Sequence, residues 1–434
     1  MTPQSSFMVL APIDPRREAD LRRLLASMNE APGQLNPANA VIAFRDFDQL
    51  HFARLVIIEA GATLDDIRAC GLPAPSFPLY LAFLGDVDGD GGDFLREAAT
   101  RAAKGLRELF SCCEGFTPDI DLGAWMEQHR TRSAADYVNW RGRTVRHVRE
   151  NAALYDALER YVDDHAAALE DLSARDVHAT LQRFVETERS AGRLTLTPDN
   201  PTPLGWWIAN LVHAIGVPLL LLLTLPLLLV VGAVVLLRVR SLEKSDLELC
   251  QRVDQEHSDA LALIEDQEVK NQFSALGAVK PGIARLWTVS FVLLIIDWAA
   301  RHLYTRGRLA RVRTIHFARW VWLDNRQRVI FLSNYDGSLE SYMDDFINKV
   351  GFGLNVIFSN GIGYPRASWL LCDGCKDERK FKEYLRRHQL ATQVWYNGYP
   401  GLTAVDLERN ARIREGLAST SMSESQAREW IGLL

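Results

Sequence analysis

Signatures of catalysis are what this 434-residue chain lacks: it holds no Gly-rich phosphate loop, no Gly-x-Ser-x-Gly elbow and no His-Glu-x-x-His. Nucleotide-driven and hydrolytic chemistries lose ground accordingly. Cysteine is scarce, with Cys70, Cys112, Cys113, Cys250, Cys372 and Cys375 the full set of six, and that usage fits a reducing compartment. Met1 to Ala11 has neither a basic start nor a long apolar core, so a cleavable export signal is not expected. Excess positive charge is missing too: the net charge is -6, which argues against a general nucleic-acid binder.

What the chain does have is a second copy of part of itself. His51-Phe52-Ala53-Arg54 recurs as His316-Phe317-Ala318-Arg319, and Asp88 to Phe116 lies over Asp336 to Tyr364 without a gap. Within that window Asp88-Gly89 matches Asp336-Gly337, Gly105-Leu106 matches Gly353-Leu354, and Phe110-Ser111 matches Phe358-Ser359. The step from histidine to Asp-Gly is 37 residues in the first copy and 20 in the second, with 61–77 read as a longer hairpin loop.

Between the copies lies an apolar run. From Asn200 to Leu237 there is no Asp, Glu, Lys or Arg. Gly216 to Leu237 reads as a transmembrane helix of about 33 Å, close to the hydrocarbon thickness of a bilayer. Trp206 and Trp207 stand where an interfacial aromatic belt falls, Arg238 and Arg240 close the far end, and Pro218 and Pro226 point to a kinked or re-entrant path. A second run, Leu286 to Ala300, carries Asp297, for which Arg301 is the natural partner one turn on. If the copies pair they lie on one side of the membrane, so a hairpin of two spans or a re-entrant element is expected. The arginines from Arg301 to Arg313 favour a cytoplasmic side for both copies, at the cytoplasmic membrane, and offer contacts for anionic lipid heads.

Patterning predicts, for the first copy, strands 7–13, 51–59, 79–84 and 106–112 with helices 16–29 and 93–103, and for the second, strands 317–323, 329–332 and 354–359 with helix 339–349. The order strand, helix, strand, strand, helix, strand is that of a split βαβ, ferredoxin-like unit. The expected fold class is therefore α+β: two tandem ferredoxin-like repeats packed as a pseudo-twofold barrel or sandwich, with an inserted transmembrane helical hairpin. The expected divisions are 1–142 (first repeat), 143–199 (helical connector), 200–240 (membrane helix), 241–284 (polar helical segment), 285–304 (second membrane or interfacial helix) and 305–434 (second repeat and C-terminal helix).

The polar positions that recur are His51 with His316, Arg54 with Arg319, and Asp88 with Asp336; His129 and His388 also correspond. Histidine and arginine three apart on a strand point to opposite faces, so one of each pair is expected to face a shared cavity and the other helices or solvent. The Asp-Gly pairs read as a helix cap with a turn glycine. Cys372-Asp373-Gly374-Cys375 has the spacing of half a zinc or redox site, with Cys112-Cys113 as the only second pair by topology.

Gly85-Asp86-Val87-Asp88-Gly89 resembles the Gly-x-x-Asp-Gly motif of the dye-decolourising haem peroxidases, which are likewise built from two ferredoxin-like halves. The resemblance implies haem as cofactor, Asp88 as the acid that helps split peroxide, and Arg54 or Arg319 as its partner. Asp336 takes the same place in the second copy, where the motif departs to Ser333-Asn334-Tyr335-Asp336-Gly337. No position matches the family's iron-binding histidine; the repeat-related His51 and His316 read either as hydrogen-bonded structural residues at strand starts or as ligand or acid-base residues, and so as candidates for cofactor contact. The other expectation is a non-catalytic, membrane-tethered module that binds an apolar ligand or a partner protein.

Overall fold

The computed structural model describes residues 1–249, 251–419 and 421–434; Cys250 lies outside the described residues. The fold is mixed α+β, with antiparallel sheets and three helices long and apolar enough to cross a membrane. In chain order the first half supplies β1 (Gln4–Pro12), α1 (Glu18–Ala26), β2 (Leu50–Ile58), α2 (Gly61–Ala69), β3 (Tyr80–Asp88), α3 (Gly91–Arg101), α4 (Ala103–Phe110), α5 (Leu122–Gln128) and β4 (Ala135–Val138). Helices α6 (Val145–Asp164) and α7 (Ala174–Ser190) lead to the apolar pair α8 (Leu204–Leu223) and α9 (Leu225–Glu243). The rest runs α10 (Gln255–Ala262), β5 (Lys270–Ala278), α11 (Ile283–His302), β6 (Ile315–Leu323), β7 (Arg328–Asp336), α12 (Leu339–Phe358), α13 (Glu378–His388), β8 (Thr392–Asn397), α14 (Ala404–Leu417) and α15 (Glu424–Ile431).

The two halves exchange their last strands. One sheet has the order β1-β3-β2-β8 and the other β4-β6-β7-β5, so β4 leaves the first half to pair with β6, and β8 leaves the second to pair with β2. On its way to β4 the chain bonds the outer edge of β1, Leu10 N–H to the His129 carbonyl at 2.9 Å and Thr131 N–H to that of Met8 at 2.8 Å. The second half repeats this along β5, with Leu390 N–H on the Ser274 carbonyl at 2.7 Å and a bridge between Ala275 and Gln389. The exchanged strands and these bonds tie the two four-stranded sheets together and partly cover the outer edges of β1 and β5, which limits edge-to-edge aggregation.

Burial explains why the strands read as they do. Every residue of β2 is buried, because one face meets the opposite sheet and the other meets helices. Between the sheets Met8, Val56, Ile58, Ala82 and Leu84 meet Leu276, Val321, Leu323, Ile330 and Leu332. Outside, α1, α3, α4 and α5 cover the first sheet, and α11, α12 and α13 the second. The expected strands 106–112 and 354–359 are instead the ends of α4 and α12 with the turns that follow: Leu106, Leu109 and Phe110 fall three to four apart and bury one face of α4. The segment 61–77 carries α2 instead of a hairpin, and the polar 241–284 segment contains the second half's opening strand, β5.

The apolar run is two helices. The helix breaks at Thr224, between the interior Pro218 of α8 and the Pro226 of α9, where proline removes a backbone donor. Helix α11, expected as a second membrane element, stands between the first and second strands of its half, as α1 does in the first, with Ala284, Thr288, Val289, Leu293 and Ala300 buried and Ile283, Trp287 and Phe291 exposed. One face of this helix therefore belongs to the body, and a lone span through lipid would strip the cover from the second sheet. Both apolar helices touch it: His213 of α8 meets His302 at 2.8 Å, and Val239 of α9 shares a buried cluster with Ala284. The stretch of α11 between those feet is about 27 Å, whereas His213 to Val239 is about 39 Å of helix, so the bend at Thr224 spreads the limbs into an arch.

Candidate functional site

The repeat-related polar residues converge where the two sheets face each other, but in different pairs from those expected. A β-bulge sits at His51 in β2 and another at His316 in β6. A bulge inserts an extra residue and resets the alternation of faces, so histidine and arginine both turn inward and neither faces solvent.

Each arginine crosses to the other sheet. Arg54 donates to the carbonyls of Phe273 and Ser333 at 3.0 and 2.9 Å, to Ser274 Oγ at 2.9 Å and to Asn334 Oδ1. Arg319 repeats this on the carbonyls of Phe7 and Gly85, each at 3.0 Å, and on Asp86. Asn334 donates to the other oxygen of Asp86 at 3.1 Å, joining the two sets. Burial pushes the Asp86 carboxyl up against the pull of both arginines, and burial, with Arg319 nearby, brings Arg54 down to about 9. Asp86, rather than Asp88, is the arginine's partner.

Asp88 and Asp336 bind histidine and start helices. Asp88 accepts from His51 Nε2 at 2.9 Å and from the backbone N–H of Val145, the first residue of α6, at 2.9 Å. Asp336 accepts from His316 Nε2 at 2.6 Å and from Ala404 N–H, the first of α14, at 2.7 Å. A carboxylate at a helix N-terminus satisfies a free donor and meets the positive end of the dipole. The aspartates therefore stabilise helices far along the chain, while the helices that follow them are capped by Asp90 and Ser338. The glycine expectation holds, since Gly89 and Gly337 have φ of 85° and 83°.

These contacts do not fit haem. An iron ligand needs a free imidazole nitrogen facing open space, whereas His51 has Nε2 on Asp88 and Nδ1 at 3.2 Å from the Tyr399 hydroxyl. Burial pushes the Tyr399 phenol well above its ordinary range, and both ring nitrogens of His51 are already engaged within the protein. His316 turns Nε2 to Asp336 with its ring against Phe52. None of His51, Arg54, Asp86, Asp88, His316, Arg319 and Asp336 is more than a tenth exposed. The arrangement is a saturated junction that pins one sheet to the other.

The remaining expectations disperse. His129 and His388 bond their own helix backbones through Nδ1, and His388 also faces Asp66 at 3.2 Å. Asp297 accepts from Asp136 N–H and faces His213, while Arg301 donates to Asn210 instead. Cys112 and Cys113 follow α4, Cys372 is exposed and Cys375 buried on the Gly351 carbonyl; among the described residues no group of three ligands suits a metal.

Sequence reasoning passed over Lys270, which stands where the first half has Gln4. Its ammonium donates to the carbonyls of Tyr399, at 2.6 Å, and Leu402, and burial brings its pKa down to about 8. Gln4 makes the matching bond to the Arg143 carbonyl at 2.7 Å. No protein-family model, no curated protein and no solved structure matches the chain.

Proposed function

We propose that the protein is a non-catalytic, membrane-tethered module: two ferredoxin-like repeats paired as a pseudo-twofold barrel, held against a bilayer by the α8–α9 arch and binding lipid as its apolar ligand. The observation that carries this reading is the arch itself. Its crest exposes Leu222, Leu223, Leu227, Leu229 and Val230 by 63–72%, far more apolar area than an isolated surface leucine represents.

Strand exchange supports a single-sided topology. With β4 bonded to β6 and β8 to β2, residues before and after the arch belong to one body, so the chain between them crosses the membrane an even number of times or not at all. A crest standing on the order of 15 Å from α11, by the helical rise, reaches about one leaflet of a hydrocarbon layer ~30 Å thick. The membrane reading is therefore of a re-entrant arch with both halves on one face. Arg301, Arg306, Arg308, Arg311 and Arg313 favour the cytoplasmic face of the cytoplasmic membrane.

The test is labelling of single added cysteines by a membrane-impermeant maleimide, counted above the unmodified protein. Ser190→Cys and Gln255→Cys, exposed on either side of the arch, are expected to label from the same side, and Leu229→Cys from neither. Labelling of the first two from opposite sides would sink the proposal.

A further inference from the structure

We propose that the cleft at the foot of α8, between Arg141, Arg143, Arg301 and Arg306, binds a phosphate ester, presented by the headgroup of an anionic lipid. This rests on the reading of α8–α9 as a membrane arch, and a soluble phosphate ester is the alternative source of the same chemistry. Two clefts, of about 970 and 1140 Å³, meet here and share Met1, Trp140, Arg141 and Glu415 in their walls.

Unpaired buried charge marks the site. Arg143 lines the cleft, is only 8% exposed, and among the described residues neither terminal nitrogen of its guanidinium has a hydrogen-bond partner. It stacks on the Trp140 ring at 4.2 Å, and burial lowers its pKa to about 10. Arg141 likewise has a buried, unpartnered Nε. Buried polar groups are almost always satisfied, and a buried cation without a partner is costly. An anion of two or three acceptor oxygens is what such a set of forks accommodates. Glu415 and Asp199 are acidic side chains in the walls of the two clefts, and Asp199 faces His147 at 3.5 Å; among the described residues neither carboxylate hydrogen-bonds Arg141 or Arg143.

The repeat supplies an internal control on the structural explanation. Trp140-Arg141-Gly142-Arg143-Thr144 corresponds to Tyr399-Pro400-Gly401-Leu402-Thr403. Gly142 and Gly401 both have positive φ, 91° and 77°, and Thr144 and Thr403 both cap the next helix. The turn therefore forms equally with proline and leucine, and the two arginines are not required for it. The other foot of the arch makes the same contrast in charge. There Arg285 and Lys280 meet Asp246 at 2.6 and 2.8 Å, and Glu243 accepts from Arg240 and from the backbone of Trp369 and Leu370. The arginine and lysine at the α9 foot meet carboxylates, whereas among the described residues Arg141 and Arg143 at the α8 foot have no salt-bridge partner, and Trp206 and Trp207 stand there at the level of a headgroup layer.

Flotation of the full-length protein, diluted from detergent into vesicles, tests the assignment. Phosphatidylglycerol added to phosphatidylcholine vesicles is expected to raise association on the order of tenfold. R141Q/R143L, which installs the twin's leucine, should lose that gain and keep its association with phosphatidylcholine alone; R306Q, at an exposed position, should lose part of it while melting like the native protein. Retention of the full gain by both variants overturns the site. If native protein floats with neither vesicle yet glycerol 3-phosphate raises its melting temperature, and R141Q/R143L abolishes that rise, the phosphate site stands with a soluble source and the membrane reading falls. Response to neither probe overturns both.

Discussion

Arg319 ends on the carboxylate of Asp86 in the sheet opposite its own, and Arg54, its counterpart in the other copy, ends on the amide of Asn334. The geometry is duplicated and the charge is not. Removing Arg319 leaves a buried carboxylate without its cation, which costs about 3–5 kcal/mol. Removing Arg54 leaves neutral acceptors, at about 1–3 kcal/mol. Arg319→Met should therefore melt well below Arg54→Met in denaturant titrations, and D86N should recover part of the loss in the Arg319→Met background. Equal losses from the two arginines would contradict the assignment.

Lys270 predicts a pH dependence whose sign can be worked out. In the folded protein its pKa is about 8, against an ordinary lysine value of 10.5. Between those values the unfolded chain holds a proton that the folded chain has released, so stability rises with pH across that window, by up to ~1.4 kcal/mol per unit. Below about 8 the ammonium is charged in both states and the contribution is flat. K270Q, which copies Gln4, is expected to fold and to erase the rise between pH 8 and 10 in thermal melts; an unchanged profile would refute it.

Strand exchange predicts interdependence of the halves. Alone, either half keeps a three-stranded sheet with a long strand, β2 or β6, bare along one edge, a template for aggregation. Residues 1–199 and 256–434 expressed separately should be insoluble, and co-expressed they should copurify in a one-to-one complex. A soluble first half with its own cooperative melt would count against the exchange.

The committed nitrogens of His51 predict that protein from haem-supplied cells has no Soret band. A band that disappears on His51→Ala or His316→Ala would restore the peroxidase reading.

Much of the strand framework was legible because β2, β3, β6 and β7 are apolar runs of the length buried strands require. Strand β5 was not. Its Lys270, Asn271, Gln272 and Ser274 are polar yet buried, since they serve the junction, and a polar run offers no periodicity to read. Leu106 to Cys112 misled for the opposite reason: its apolar residues suit either element, and only their spacing marks a helix. At the site, the sequence pointed to recurring histidines, arginines and aspartates, but the bulges at His51 and His316 moved each onto a different neighbour. Arg141 and Arg143 stand out only once they are aligned with Pro400 and Leu402.

Because each half completes the other's sheet, the two copies cannot drift apart independently. A change in β4 is felt by β6, coded 180 residues downstream of Ala135 at Ile315, and must be matched there. The arch lies outside that mutual constraint, so over generations its length and its exposed apolar residues are free to change while the two sheets beneath it stay the same.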